Sequence, residues 1–233
     1  MPRTGPALAA LTWPETAAFA EEGSILAVPV ASTEQHGPHL PLSTDTDLAI
    51  WLCAALATFR SDVLIAPPLP YGSSGEHEGF AGTLSIGQQA LEAVLVELCR
   101  SALLTFDGVV LVCTHGGNAE PLHRARRTLS DESRRILAWR PRLQGDAHAG
   151  RTETSVQLAL HPDSVRLGDA EAGDTRDLAE ILPTVRATSL KAVSQNGVLG
   201  DPAGATADEG RRLLGSLLAD LVQTVSSWLG AIR

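Results

Sequence analysis

Gly108-Val-Val-Leu-Val-Cys113, followed at once by Thr114-His-Gly-Gly-Asn118, decides how the rest of the chain reads. A run without a charge and rich in β-branched valine fits a strand buried on both faces. Working upstream, 88–106 reads as a helix. Leu91, Val94, Leu95, Leu98, Ala102 and Leu103 form its apolar stripe, with Glu92 and Arg100 off it. Ser85 with Gln88 three residues on predicts a capping box at its start. Strands of the same apolar kind are predicted over 24–30, 62–66 and 134–139. Helices are expected over 45–59, 118–131, 151–160 and from Thr206 to about 229, where Thr206 and Glu209 repeat the capping-box spacing. Apolar strands alternating with helices imply an α/β fold, a three-layer αβα sandwich with a mainly parallel central sheet, in one domain spanning 1–233. In such sheets ligands sit beyond the carboxyl ends of the strands.

Composition narrows the function classes. Hydrophobic residues are 44% of the 233 and charged residues 19%, so a core forms and disorder is not expected. No apolar run reaches the ~18–20 residues of a membrane span. Arg3 is followed by only a short apolar patch before Pro14 and Glu15, so no secretory signal is expected. A net charge of −9 argues against nucleic acid as a partner. Cys53, Cys99 and Cys113 are odd in number and widely spaced. They suit neither a disulfide framework nor a CxxC motif, and point to the cytoplasm.

The segments after the strands carry the chemistry. After the first come Thr33-Glu-Gln-His-Gly-Pro-His39 and Thr44-Asp-Thr46. Residues i and i+2 of an extended segment point the same way, so Glu34 and His36 can reach one site, to which Asp45 returns at the next helix start. After the second strand comes Gly75-Glu-His-Glu78, after the third His115 and Asn118, and after the fourth His148-Ala-Gly-Arg-Thr-Glu153. Singly, each histidine reads as a solvated loop residue and Asp45 as a helix cap. Jointly, imidazoles and carboxylates from several strand ends are what a catalytic zinc, iron or manganese site needs. Gly116-Gly117 lacks the spacing and lysine of a phosphate loop, and no GxSxG elbow is present. Cys113 reads as a core residue.

Glu34-x-His36-Gly-x-His39, Asp45, Ser74-Gly-Glu-His77, Phe80-x-Gly82-Thr83, His115-Gly-Gly-Asn118 and His148-Ala-Gly-x-x-Glu153-Thr-Ser155 resemble the creatininase family of metal-dependent amidohydrolases over roughly 24–230. Within that family, Ser32–Leu42, Tyr71–His77 and Asn196–Pro202 resemble a member that trims a modified precursor peptide, releasing a C-terminal dipeptide. The resemblance implies two divalent ions, with Glu34 and His115 on one, His36 on the other and Asp45 bridging. It also implies a modified peptide substrate and a homo-oligomer. Creatininase carries a metal-binding Glu two residues after the histidine matching His115, where this chain has Gly117; Glu153 is the candidate replacement, with accepting a hydrogen bond from a ligand as its alternative. His148 is the candidate general acid/base, with a role in orienting a ligand as its alternative. Glu76, His77 and Asn118 are expected to bind substrate, with a loop-stabilising hydrogen bond as the alternative for Glu76 and His77, and holding the turn after His115 as the alternative for Asn118. Another small-molecule amidase or deformylase of the family, and a metal-binding scaffold without turnover, stay open at this point.

Overall fold

The computed structural model describes residues 6–142 and 145–231; the ends of the 1–233 span lie outside them. Four parallel strands, β1 (Ile25–Val30), β2 (Val63–Ile65), β3 (Gly108–Cys113) and β4 (Ile136–Trp139), form a sheet in the order β2-β1-β3-β4. Every residue of the two central strands is buried, as their unbroken apolar sequence requires. They pair from Ile25 opposite Gly108 to Val30 opposite Cys113, so both end at the same edge.

Among the described residues, seven α-helices accompany the sheet: α1 (Trp13–Glu21), α2 (Thr44–Phe59), α3 (Gln88–Ala102), α4 (Ala119–Asp131), α5 (Arg151–Leu160), α6 (Leu178–Ala187) and α7 (Ala207–Gly230). Strand alternation sorts the core into two layers. Ile25, Ala27, Val110 and Val112 face Leu52 and Leu56 of α2, Val156 of α5, and Leu217 and Leu221 of α7. Leu26, Val28, Val109 and Leu111 face Leu91 and Leu95 of α3 and Leu122 and Leu129 of α4. Each of these fully buried leucines contributes about 1.5–3 kcal/mol relative to exposure. The three-layer αβα arrangement and the parallel sheet match the expectation. Among the described residues, no helix is long and apolar enough to cross a membrane.

Several local readings need correction. The helix expected over 88–106 stops at Ala102. No Ser85–Gln88 box forms: the cap is Gly87 at φ +78°, a conformation that suits glycine. Ser85 Oγ instead accepts the N–H groups of Ser74 (3.0 Å) and Gly87 (3.2 Å). Thr206 does cap α7, accepting the Glu209 N–H at 3.2 Å, but the Glu209 carboxylate turns to Arg151 (2.8 Å). Neither α1, opened by a Thr12–Glu15 capping box, nor α6 was expected.

Candidate functional site

Four loops leave the carboxyl edge of the sheet and converge. Glu34 and His36 follow β1, and Asp45 lies in the first turn of α2. Glu76 and His77 stand in a short turn after β2, and His115 follows β3. His148 precedes α5, whose first turn holds Glu153. All but Glu76 and Glu153 are buried.

Hydrogen bonds orient each imidazole. His115 Nε2–H donates to the Ser73 carbonyl (3.0 Å), which leaves Nδ1 at 3.1 Å from Glu34 Oε1 and 3.2 Å from Asp45 Oδ2. His36 Nδ1–H donates to the Glu34 carbonyl (3.1 Å). Its Nε2 has no hydrogen-bond partner among the described residues and faces Asp45 Oδ1 at 3.8 Å and Glu153 Oε2 at 4.0 Å. Asp45 thus turns one oxygen to each imidazole, and Ser32 Oγ donates to Oδ2 at 2.8 Å. Three donor groups have their ligand atoms within 4.8 Å of one another: Glu34, Asp45 and His115; His36, His148 and Glu153; and Glu34, His77 and His148.

Buried polar atoms are normally paired. Here His36 Nε2 and Glu34 Oε2, both buried, are not. Unpaired nitrogen and oxygen donors among convergent carboxylates fit a divalent cation, and this mixed set suits zinc, iron or manganese.

The charges point the same way. Burial opposes protonation of His115, but Glu34 and Asp45 outweigh it and raise its pKa well above the usual value. Burial likewise opposes charge on His36, yet Asp45, then Glu153 and Glu34, hold it up to about 9. Burial pushes the Glu34 carboxyl up, and His115 and His77 overcome that to bring it to about 2. Asp45 is driven well below the ordinary range by His115 and His36 against the same burial cost. Carboxylates that stay ionised in a buried pocket and imidazoles that hold protons there mark a place built for positive charge.

Gln35 ties the site together from behind. Its Oε1 accepts the Gly37 N–H (2.8 Å), and its amide nitrogen donates to His77 Nδ1 (2.9 Å) and the Gly197 carbonyl (3.1 Å). His77 therefore carries its proton on Nε2, which faces Glu34 Oε1 at 3.3 Å. Burial, only partly offset by Glu34, lowers the His77 pKa to about 3 and keeps the ring neutral. The Gln35 carbonyl accepts His148 Nε2–H (2.8 Å), leaving His148 Nδ1 directed at Glu153 Oε2, 4.0 Å away. Burial, then the charge on His36, lowers the His148 pKa. Glu153 Oε2 also accepts the N–H of Ala149, which sits at φ +52°. In strict alternation Gln35 faces away from Glu34 and His36, so the sequence offered no role for it; its placement between two ligand-type residues was the only signal.

Asn118 is corrected. Its side chain is fully buried, accepts the Ser73 N–H (2.8 Å) and donates to the Ala31 carbonyl (2.9 Å). It holds the loop after β2 against the end of β1 and does not face the cleft. His39 is also buried and is bonded to Thr154 Oγ1 (2.8 Å). Glu34, Asp45, Glu76, His77, His115, His148 and Glu153 do line one cleft of about 690 Å³, with Leu178, Leu182 and Val185 of α6 on its far wall.

Residues 9–225 match the creatininase (creatinine amidohydrolase) family. The mycofactocin precursor peptide peptidase of Mycobacterium ulcerans is 46% identical over 227 residues, 93% of this chain and 86% of its own. That of Mycolicibacterium smegmatis is 46% identical over 208 residues, 86% of this chain and 84% of its own. A solved manganese creatininase superposes with a TM-score of 0.80 at 23% identity, covering 96% of this chain and 98% of that one, a likeness of fold. The chain belongs to the creatininase family of metal-dependent amidohydrolases.

Proposed function

We propose that this amide hydrolase is a peptidase acting on a mycofactocin precursor peptide, from which it releases the modified C-terminal dipeptide. The observation that carries the reading is Asp45, whose two oxygens are turned to different imidazoles, His36 and His115, in the lining of a cleft of about 690 Å³. The name shared by relatives 46% identical over most of the chain supports the substrate. We assign two divalent ions per chain, iron, zinc or manganese, the first to Glu34, Asp45 and His115, the second to His36, Asp45 and Glu153. Bound there, such ions supply Lewis acidity, acidifying water and polarising an amide carbonyl.

The chain's own residues do the rest. His148 Nδ1, free because Nε2 is tied to the Gln35 carbonyl, takes a proton from the attacking water and delivers it to the leaving nitrogen. His77 Nε2–H holds Glu34 in place. Glu76, whose pKa burial raises, and His77 contact the peptide beside the scissile bond. The three cysteines are free and buried, in keeping with a reducing cytoplasm. We take the chain to be one domain that works as a homo-oligomer.

Mass spectrometry of a modified precursor peptide incubated with purified protein tests the reading. The expected products are the shortened peptide and its C-terminal dipeptide. An intact peptide beside turnover of a small formamide would move the substrate assignment to a deformylase.

A further inference from the structure

A second hollow, of about 430 Å³, opens beside the cleft. His123 and Arg126 of α4 form one side, and Arg140, Pro141 and Arg142, just past β4, form the other. Leu122 and Ala138 add apolar lining between them. Arg140 and Ala119 line both this hollow and the main cleft, so the two adjoin there.

The three arginines are exposed. Among the described residues, none has a carboxylate within 4.0 Å, whereas Arg60, Arg100, Arg124 and Arg151 each do. In a chain of net charge −9, three uncompensated guanidinium groups around one concavity reverse the local field. Guanidinium forks match carboxylates in two-point geometry, and the Leu122 and Ala138 side chains suit the methylene stem of a glutamate.

We infer that this hollow docks an acidic stretch of the peptide substrate, its Asp or Glu carboxylates on Arg126 and Arg142, with Arg140 at the passage into the cleft. The inference rests on the peptidase reading, because only a chain running out of the cleft fills both cavities. A nucleic acid fits less well: the hollow takes a few side chains, and the surrounding negative charge repels a long polyanion.

Fluorescence anisotropy of a labelled Glu-Ala repeat peptide tests this without turnover. Binding is expected to weaken about tenfold or more in Arg126→Gln/Arg142→Gln, and with a Gln-Ala repeat peptide in place of the acidic one. It should also weaken as salt rises. Cleavage of a short neutral peptide should be unchanged in the double variant, which shows that it folds. Equal binding by variant and parent, or by the two peptides, overturns the inference. So does a changed oligomeric mass, which makes the hollow a contact between copies, or Arg-dependent binding of an RNA oligonucleotide tighter than that of the peptide. A protein that cleaves acid-rich peptides without any dependence on these arginines defeats this inference alone. One that binds the acidic peptide through them but cleaves none defeats the peptidase reading instead.

Discussion

Glu76 Oε1 fills the space in which a side chain on Gly117 would stand. A β-carbon at 117 would also run into the Ser73 carbonyl and come within 2.5 Å of His115 Nε2. A carboxylate side chain at position 117 therefore has no room here, while Glu153 of α5 faces His36 at 4.0 Å.

Gly117→Ala should disturb the site through sterics alone. Two of its three clashes are with backbone and a hydrogen-bonded ring, which cannot swing aside. Overpacking of this kind costs about 1–3 kcal/mol. Gly116→Ala is the control, since nothing lies within 4 Å of its β-carbon. Thermal unfolding and metal content of both variants check this: Gly117→Ala should lose in each and Gly116→Ala in neither.

Asp45→Ala should lose more metal than Glu153→Ala. Asp45 turns an oxygen to each of two imidazoles, while Glu153 faces only the His36 and His148 side. Removing a carboxylate shared by two cations also leaves their repulsion less screened. Elemental analysis of the purified variants gives the comparison, and full occupancy in Asp45→Ala would defeat the bridging role.

Metal uptake should release protons. His36 is held up to about 9 and His115 is raised well above its usual value, so both rings carry a proton in the metal-free protein at neutral pH. A bound cation needs the neutral ring and must displace that proton. Apparent affinity should therefore fall as pH drops below about 9, where His36 takes up its proton, with the raised His115 adding to the loss. Calorimetry in buffers of different ionisation enthalpy counts the protons; an uptake without release would mean these rings are not ligands.

Much of this was legible in the residues. The uncharged runs at 24–30 and 108–113 could be little but buried parallel strands, and the polar loops after them had to lie at one edge. That already gathered Glu34, His36, Asp45, His115, His148 and Glu153. What escaped depends on tertiary contact. Gln35 reaches the site only because the loop at Gly197 meets it. Asn118 was expected to bind substrate or to hold the turn after His115, yet both ends of its amide are taken by backbone from two other loops. At Ser85 the local spacing was right for a cap, but the Ser74 N–H competes for the same hydroxyl.

Gln35→Met keeps the volume and removes the donor that fixes the His77 tautomer. Loss of such an outer hydrogen bond typically lowers metal affinity or activity ~10–100-fold. The chain should stay folded, and the nitrogen NMR shifts of His77 should move from a fixed Nε2–H form to a mixed one. Unaltered shifts would show that Gln35 does not set that proton.

The most direct test of the whole account is a titration of chelator-treated protein with manganese(II), following cleavage of the precursor peptide and unfolding together. Most apolar residues are already packed in the two layers around the sheet, so the stripped protein should unfold cooperatively yet cleave nothing. Cleavage should return and level off at about two ions per chain. Full cleavage by the metal-free protein, or none at full metal loading, would contradict it.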